Sequence, residues 1–135
     1  MMNAAQANQS QQLAQAGNAV LPVVFNILDK WSCSQNQQMA LLGLSSRSTL
    51  NKYRTHPESA KVSKDLLERM SYILNIHKCL RIMFTAEESV YNWVQKPNSH
   101  PFFAGRSAME IMCQGKVVDL YHVATRLNAW RGGQS

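Results

Sequence analysis

Residues 34–54 read SQNQQMALLGLSSRSTLNKYR, and the fold turns on them. Ser34 and Gln37 have the S-x-x-Q spacing of a capping box, which opens a short helix through Met39, Ala40, Leu41 and Leu42. Gly43 breaks that helix. Leu44-Ser45-Ser46 makes a turn, and Ser45 or Ser46 caps a second helix holding Arg47–Arg54 before Pro57 closes the element. Two short helices, a glycine-containing turn, and a second helix rich in Arg, Ser, Thr, Asn and Lys form the helix-turn-helix pattern. Ala40 is small where the helices cross. Leu50 and Tyr53 point back into a core, leaving Arg47, Ser48, Asn51 and Lys52 facing outward. In the common spacing the glycine falls four residues after the alanine. Here Gly43 is three after Ala40, while the Ala40-to-Leu50 interval is the usual one, so a reshaped turn is expected. Paired helices that bind no DNA share this local grammar.

Upstream, residues 3–17 are rich in Gln, Ala and Asn without an aromatic, and read as part of a polar, loosely ordered arm over 1–17. Asn18 is a candidate cap for a helix with Pro22 in its first turn. Val20, Val23, Val24, Ile27, Leu28 and Trp31 give it one apolar face, ending near Ser32. Downstream, Ser63 caps a helix whose core face is Leu66, Leu67, Met70, Ile73 and Leu74. That pattern continues through Ile76, Leu80, Met83 and Phe84, either bent at Asn75 or as one long helix. Thr85 and Glu88 have capping-box spacing before a helix through Val90, Trp93 and Val94 that Pro97 ends. The loop 96–106 presents Phe102-Phe103 to a core or to a partner. Ser107 and Glu110 start a short helix that Gly115 stops. From Val117, the residues Leu120, Tyr121, Ala124, Leu127 and Trp130 recur at three and four, and Gly132-Gly133 end the chain's last helix. The expectation is an all-α protein of seven or eight helices: a helix-turn-helix lobe over 18–62, then a helical lobe over 63–135. A helix delivering Trp130 and Arg131 to an open end suits insertion into a partner. A frayed end, or Trp130 buried against its own helix face, is the alternative.

Of the 135 residues 45% are hydrophobic, which suits a globular chain with a core of ordinary size. No apolar run approaches a membrane span, and the first residues lack the pattern of a secretory signal. Cys33, Cys79 and Cys113 match neither a disulfide framework nor a zinc spacing, so free thiols in a reducing cytoplasm are expected. The net charge is +6. Nine basic residues against three acidic ones lie between Lys30 and Arg81, whereas residues 85–135 are nearly balanced. A basic front suggests a polyanion partner, against the alternative of a merely solvated face. No phosphate-binding glycine loop, H-E-x-x-H or nucleophile elbow is present, and the four histidines are scattered. Neither enzyme activity nor a metal or cofactor is expected.

With both halves read, the chain resembles the Xre/MbcA/ParS family of bacterial antitoxins. The resemblance rests on the helix-turn-helix followed by Ser63-Lys64-Asp65-Leu66-Leu67-Glu68-Arg69 and Ile76-His77-Lys78. It rests more specifically on Trp93, Pro97-Asn98, Phe102-Phe103-Ala104-Gly105-Arg106-Ser107-Ala108-Met109-Glu110-Ile111-Met112, Gly115, Leu120-Tyr121 and Leu127-Asn128-Ala129-Trp130-Arg131-Gly132-Gly133. It covers nearly all of the chain from about residue 20, and leaves the glutamine-rich arm outside. It implies a type II toxin-antitoxin pair with a RES-domain toxin that attacks NAD or uses it to ADP-ribosylate a target. The antitoxin's C-terminal end would reach the toxin's NAD pocket. Carried over, Trp130, Arg131, Gly132 and Gly133 would block, supported by Arg126 and Asn128, with Phe102, Phe103 and Arg106 on the toxin-binding surface. The front lobe would bind the operator of its own operon as a homodimer on an inverted repeat. Arg47 and Lys52 would read guanine, Asn51 adenine, and Ser48 or Thr49 a base edge or phosphate, with Gln37, Arg54 and Lys61 on phosphates. The competing readings are a DNA-binding regulator whose back lobe only dimerises or senses a ligand, and an inhibitor that binds no DNA.

Overall fold

Asn3 begins the first helix by accepting from the Gln6 backbone, while the Gln6 side chain accepts from the Asn3 backbone. In the computed structural model, which describes residues 3–133, this helix, α1, runs without interruption over Ala4–Lys30. The expected loose arm is therefore helical from Ala4, and Pro22 lies inside the helix rather than in its first turn. The physical reason is composition. Ala and Gln are strong helix formers, so a polar stretch without a core face still propagates a helix. Met1 and Met2 of the arm, and Gln134 and Ser135 at the other end, lie outside the described residues. Asn18 does not cap. Its amide donates to the carbonyls of Pro57, Glu58 and Ala60 at 3.0, 3.1 and 3.2 Å, tying the loop after the third helix to α1.

The helix-turn-helix forms as α2 (Gln35–Leu42) and α3 (Arg47–Thr55). The Ser34–Gln37 capping box is present, and Ser46 rather than Ser45 caps α3. Gly43 caps α2 in the left-handed region at φ +68°. After a single 3-10 turn at Pro57–Ser59, Ser63 caps α4 (Lys64–Met83), one helix without a break at Asn75. The Thr85–Glu88 box does not form. Helix α5 (Glu87–Asn92) starts two residues after Thr85 with Ala86 as its cap, and runs into a 3-10 turn at Trp93–Gln95. The Ser107–Glu110 box opens α6 (Ala108–Met112), and α7 spans Val117–Arg131. Among the described residues there is no strand beyond an isolated bridge between Pro97 and Ser107.

Buried residues from every one of these helices, Leu21 and Trp31 through Leu80 to Leu127, make one continuous cluster rather than two. Helices α4 and α7 form the most extensive pair. Asn128 ties them: its amide donates to Asn75 Oδ1 at 2.7 Å, and its oxygen accepts from the Cys79 thiol at 3.3 Å. The front half is held to the back by Arg69, which is 6% exposed. Its Nε meets Asp65 Oδ2 at 2.8 Å, Nη1 donates to the Ala40 carbonyl at 3.0 Å, and Nη2 to the Gly115 carbonyl at 2.9 Å. One guanidinium thus closes the C-terminal end of α2 and the turn before α7. A Cβ on Gly43 would stand 2.8 Å from its Nε and 2.9 Å from its Cζ, so glycine is needed there for space as well as for φ.

Replacing Arg69 with Ala removes its bonds to the carbonyls of Ala40, Leu41 and Gly115 and to the Asp65 carboxylate. Urea denaturation should show a loss of about 3 kcal/mol, at the lower end for breaking a buried charged network because Asp65 is half exposed. Gly43→Ala should cost less, about 1–2 kcal/mol, from left-handed strain and the crowded guanidinium.

Candidate functional site

Helix α3 is short, and Ser46 starts it by accepting from the Thr49 backbone. Leu50 is fully buried and Tyr53 half-buried, its hydroxyl accepting from the Lys61 backbone at 3.3 Å. This leaves Arg47, Ser48, Asn51 and Lys52 exposed, as the spacing predicts. Thr49 is half-buried, its hydroxyl bonded to Ser46 at 2.8 Å. Lys61 is exposed on the loop beyond. Two expected phosphate ligands are otherwise engaged. Arg54 makes a bidentate pair with Asp29 at 2.8 and 3.0 Å, donates to Gln38 at 3.0 Å and lies 4.8 Å over the Phe25 ring. It pins α3 to α1. Gln37 shares a reciprocal contact with Gln95, whose amide also donates to the Trp31 carbonyl at 3.0 Å. That contact joins the start of α2 to the back lobe.

In the back lobe, the Trp130 side chain is half-buried. It packs edge-on against His100 at 5.0 Å and Trp93 at 6.3 Å, and tilted against Phe103 at 5.8 Å. Trp130 therefore anchors the end of α7 instead of projecting from it. Phe103 is fully buried and belongs to the core, while Phe102 is half-buried under the guanidinium of Arg126, 5.2 Å from its ring. Nε of Arg126 is buried without a hydrogen-bond partner. Asn128 is spent on the α4–α7 tie. Exposed are Arg106, which also donates to the Phe103 carbonyl at 3.2 Å, and Arg131, Gly132 and Gly133. The structure thus brings Phe102, Arg126 and Arg106 to one surface around an aromatic cluster, and leaves Arg131 exposed just past its anchor.

Sequence reasoning missed Arg69, Gln95 and His100. Only Arg69 carried a local signal, the Asp65–Arg69 spacing of one helical turn. Gln95 acts through Trp31 and Gln37, far away in the chain, while His100 accepts from the Phe102 backbone two residues on and packs on the distant Trp130. Burial, with the Cys113 thiol and Asp29 adding to it, pushes Cys33 up to about 12, and burial pushes Cys113 up to about 11, from an ordinary 9.0.

Two family models match, side by side. The antitoxin Xre-like helix-turn-helix domain covers residues 11–75, and the antitoxin Xre/MbcA/ParS C-terminal toxin-binding domain covers residues 79–133. The chain belongs to the Xre/MbcA/ParS antitoxin family. The family thereby assigns a DNA partner to the front half and a toxin partner to the back half. A relative, the uncharacterized protein y4oB of Sinorhizobium fredii (strain NBRC 101917 / NGR234), is 44% identical over 115 residues, which is 85% of this chain and 86% of that protein. No solved structure matches. No helix of the described residues is long and apolar enough to cross a membrane.

If Trp130 is an anchor, Trp130→Ala should cost about 2 kcal/mol, roughly half of a fully buried aromatic truncation, whereas Arg131→Ala should stay within about 0.5 kcal/mol. Chemical denaturation followed by circular dichroism separates the two. For the thiols, the native state holds protons that the unfolded state releases first. Stability should therefore be full below about pH 9 and fall as pH rises towards 11 and 12, with Cys33→Ser/Cys113→Ser removing that slope.

Proposed function

We propose that this protein is the antitoxin of a type II toxin-antitoxin pair, that its partner is a RES-domain toxin, and that it covers the toxin's NAD site with the end of α7 while repressing its own operon. The observation that carries the reading is the contrast at residues 130–131. Trp130 is held by three aromatic rings, and the next residue is an exposed arginine followed by two exposed glycines. Arginine offers a planar fork of donors with permanent charge, matched to the pyrophosphate or carboxylates of an NAD pocket. Glycines let the backbone enter a narrow cleft. Because the tryptophan is fixed, the arginine arrives with little freedom left to lose, and the ordering cost of binding falls. Phe102, Arg126 and Arg106 flank it as the surrounding contact surface, and Gly132 and Gly133 follow it in.

Arg47, Ser48, Asn51 and Lys52 of α3 read base edges in a major groove, Arg and Lys suiting guanine and Asn suiting adenine, with Thr49 and Lys61 towards the phosphates. Gln37 and Arg54 serve the scaffold of that face. A half-site is about four base pairs deep at most for a helix this short, so two copies on an inverted repeat give the reach an operator needs. Repression and toxin blocking then reside in one cytoplasmic, non-enzymatic protein.

Co-expression with the toxin is the test. Deleting residues 131–135 should abolish protection of the cells and restore NAD consumption, with operator binding intact. Arg47→Ala/Lys52→Ala should weaken operator binding at least tenfold and leave protection intact. Protection by the deletion variant equal to the full chain would overturn blocking by the end of α7, and no protection by the full chain itself would leave only a DNA-binding regulator whose back lobe dimerises.

A further inference from the structure

A second basic cluster lies away from α3, around the Tyr91 ring. Lys30 Nζ, at the end of α1, stands 5.0 Å over that ring. On α4, His77 stacks on the same ring at 5.7 Å, its Nε2 lying 3.4 Å from the Tyr91 hydroxyl, and Arg81 Nη1 donates to that hydroxyl at 3.5 Å. Two elements, α1 and α4, thus converge two cations and an imidazole on the one phenol of α5. The ion pairs among the described residues are Arg54–Asp29, His56–Glu58 and Arg69–Asp65, so neither Lys30 nor Arg81 is neutralised by one. Glu87 lines the same hollow as Arg81 without pairing to it. His77 is held below the ordinary histidine range first by its burial, with Arg81 and Lys30 adding to it.

We infer that Lys30, Arg81 and the Tyr91 hydroxyl form a seat for a backbone phosphate of DNA, outside the groove that α3 enters. The inference rests on the DNA reading above and adds a contact from the back half of the chain. Position selects DNA over an acidic protein surface. Lys30 precedes the cap of α2, Ser34, by four residues, and Gln95, one turn past Tyr91, is bonded to both Trp31 and Gln37. The cluster therefore adjoins the N-terminus of α2. In a helix-turn-helix the first helix crosses the phosphate backbone, and its N-terminus favours an anion. Lys30 and Arg81 extend that positive end along the strand, and Arg81 carries it onto α4. A phosphate seated there is sequence-independent. It fixes orientation and adds to salt dependence without reading a base.

The test is the salt dependence of binding to a mixed-sequence 40-base-pair duplex, followed by fluorescence anisotropy. Lys30→Ala/Arg81→Ala should lower the slope of log affinity against log salt by about 0.9 for each phosphate left without its cation, and weaken binding severalfold at low salt. Lys116→Glu, with the same change in net charge on the exposed turn before α7, should leave the slope unaltered. In the wild-type protein, which needs no folding control, the His77 imidazole should titrate at higher pH once the duplex is bound. An unchanged slope and an unmoved His77, with Arg47→Ala/Lys52→Ala still weakening binding, would overturn the phosphate seat and spare the α3 reading. Loss of toxin capture by Lys30→Ala/Arg81→Ala with DNA binding intact would overturn it in favour of an acidic protein surface. If the wild-type chain binds no duplex at all, both readings fall.

Discussion

The guanidinium of Arg69 is the constraint on which the arrangement of both halves depends. An α-helix ends with carbonyls that have no partner within it, and α2 is too short to hide them. Arg69 donates to the carbonyls of Ala40 and Gly115 from opposite edges of one rigid plane, with Asp65 fixing the third. A lysine could not reach three acceptors at fixed angles. Because Gly115 ends the segment before α7 and Ala40 belongs to the helix-turn-helix, this one side chain links the DNA side to the toxin side, alongside the Gln37–Gln95 contact and the shared core. The shortened spacing between Ala40 and Gly43 fits this role. The turn is drawn in so that its glycine lies against the guanidinium, where any Cβ would collide.

How much of this was legible depended on whether the physics was local. Capping boxes at Ser34–Gln37 and Ser107–Glu110, the glycine stop at Gly43 and the apolar periods of α4 and α7 are all written within four residues, and each formed where the sequence placed it. The arm is helical against expectation because a helix does not require apolar periodicity; Ala and Gln need only propensity and a cap. Thr85 does not cap because the helix starts at Glu87, one residue later than a Thr85 cap would place it, with Ala86 in the cap position and no side-chain cap bond. At the site, the outward set on α3 follows from Leu50 being buried. The fate of Arg54, Gln37 and Asn128 does not, since their partners, Asp29, Gln95 and Asn75, lie 25, 58 and 53 positions away.

Trp130 illustrates the difference between an anchor and a plug. A free tryptophan at an exposed helix end would cost ordering entropy on binding and would expose a large apolar ring before it. Packed on Trp93, His100 and Phe103, it makes the loop 96–106 and the end of α7 a single surface. Phe103 is sealed beneath and Phe102 rides half-covered under Arg126. The specific pairing of Phe102-Phe103 with Trp130 in the sequence thus has a packing cause. The loop holds the last turn of α7, and what that turn presents is charge and exposed glycine backbone rather than the ring.

The two ends of α2 are both fastened to the back half, one through Gln37 and Gln95, the other through Arg69 and Gly115. Helix α2 is eight residues long, below the length at which a helix holds itself in water, so its posture is borrowed from those fastenings and from Leu41 and Leu42 in the shared core. The face that meets DNA is therefore not an independent module joined to a toxin binder by a linker. It is one surface of a single packed body, in which the toxin-binding half supplies part of the scaffold that aims α3.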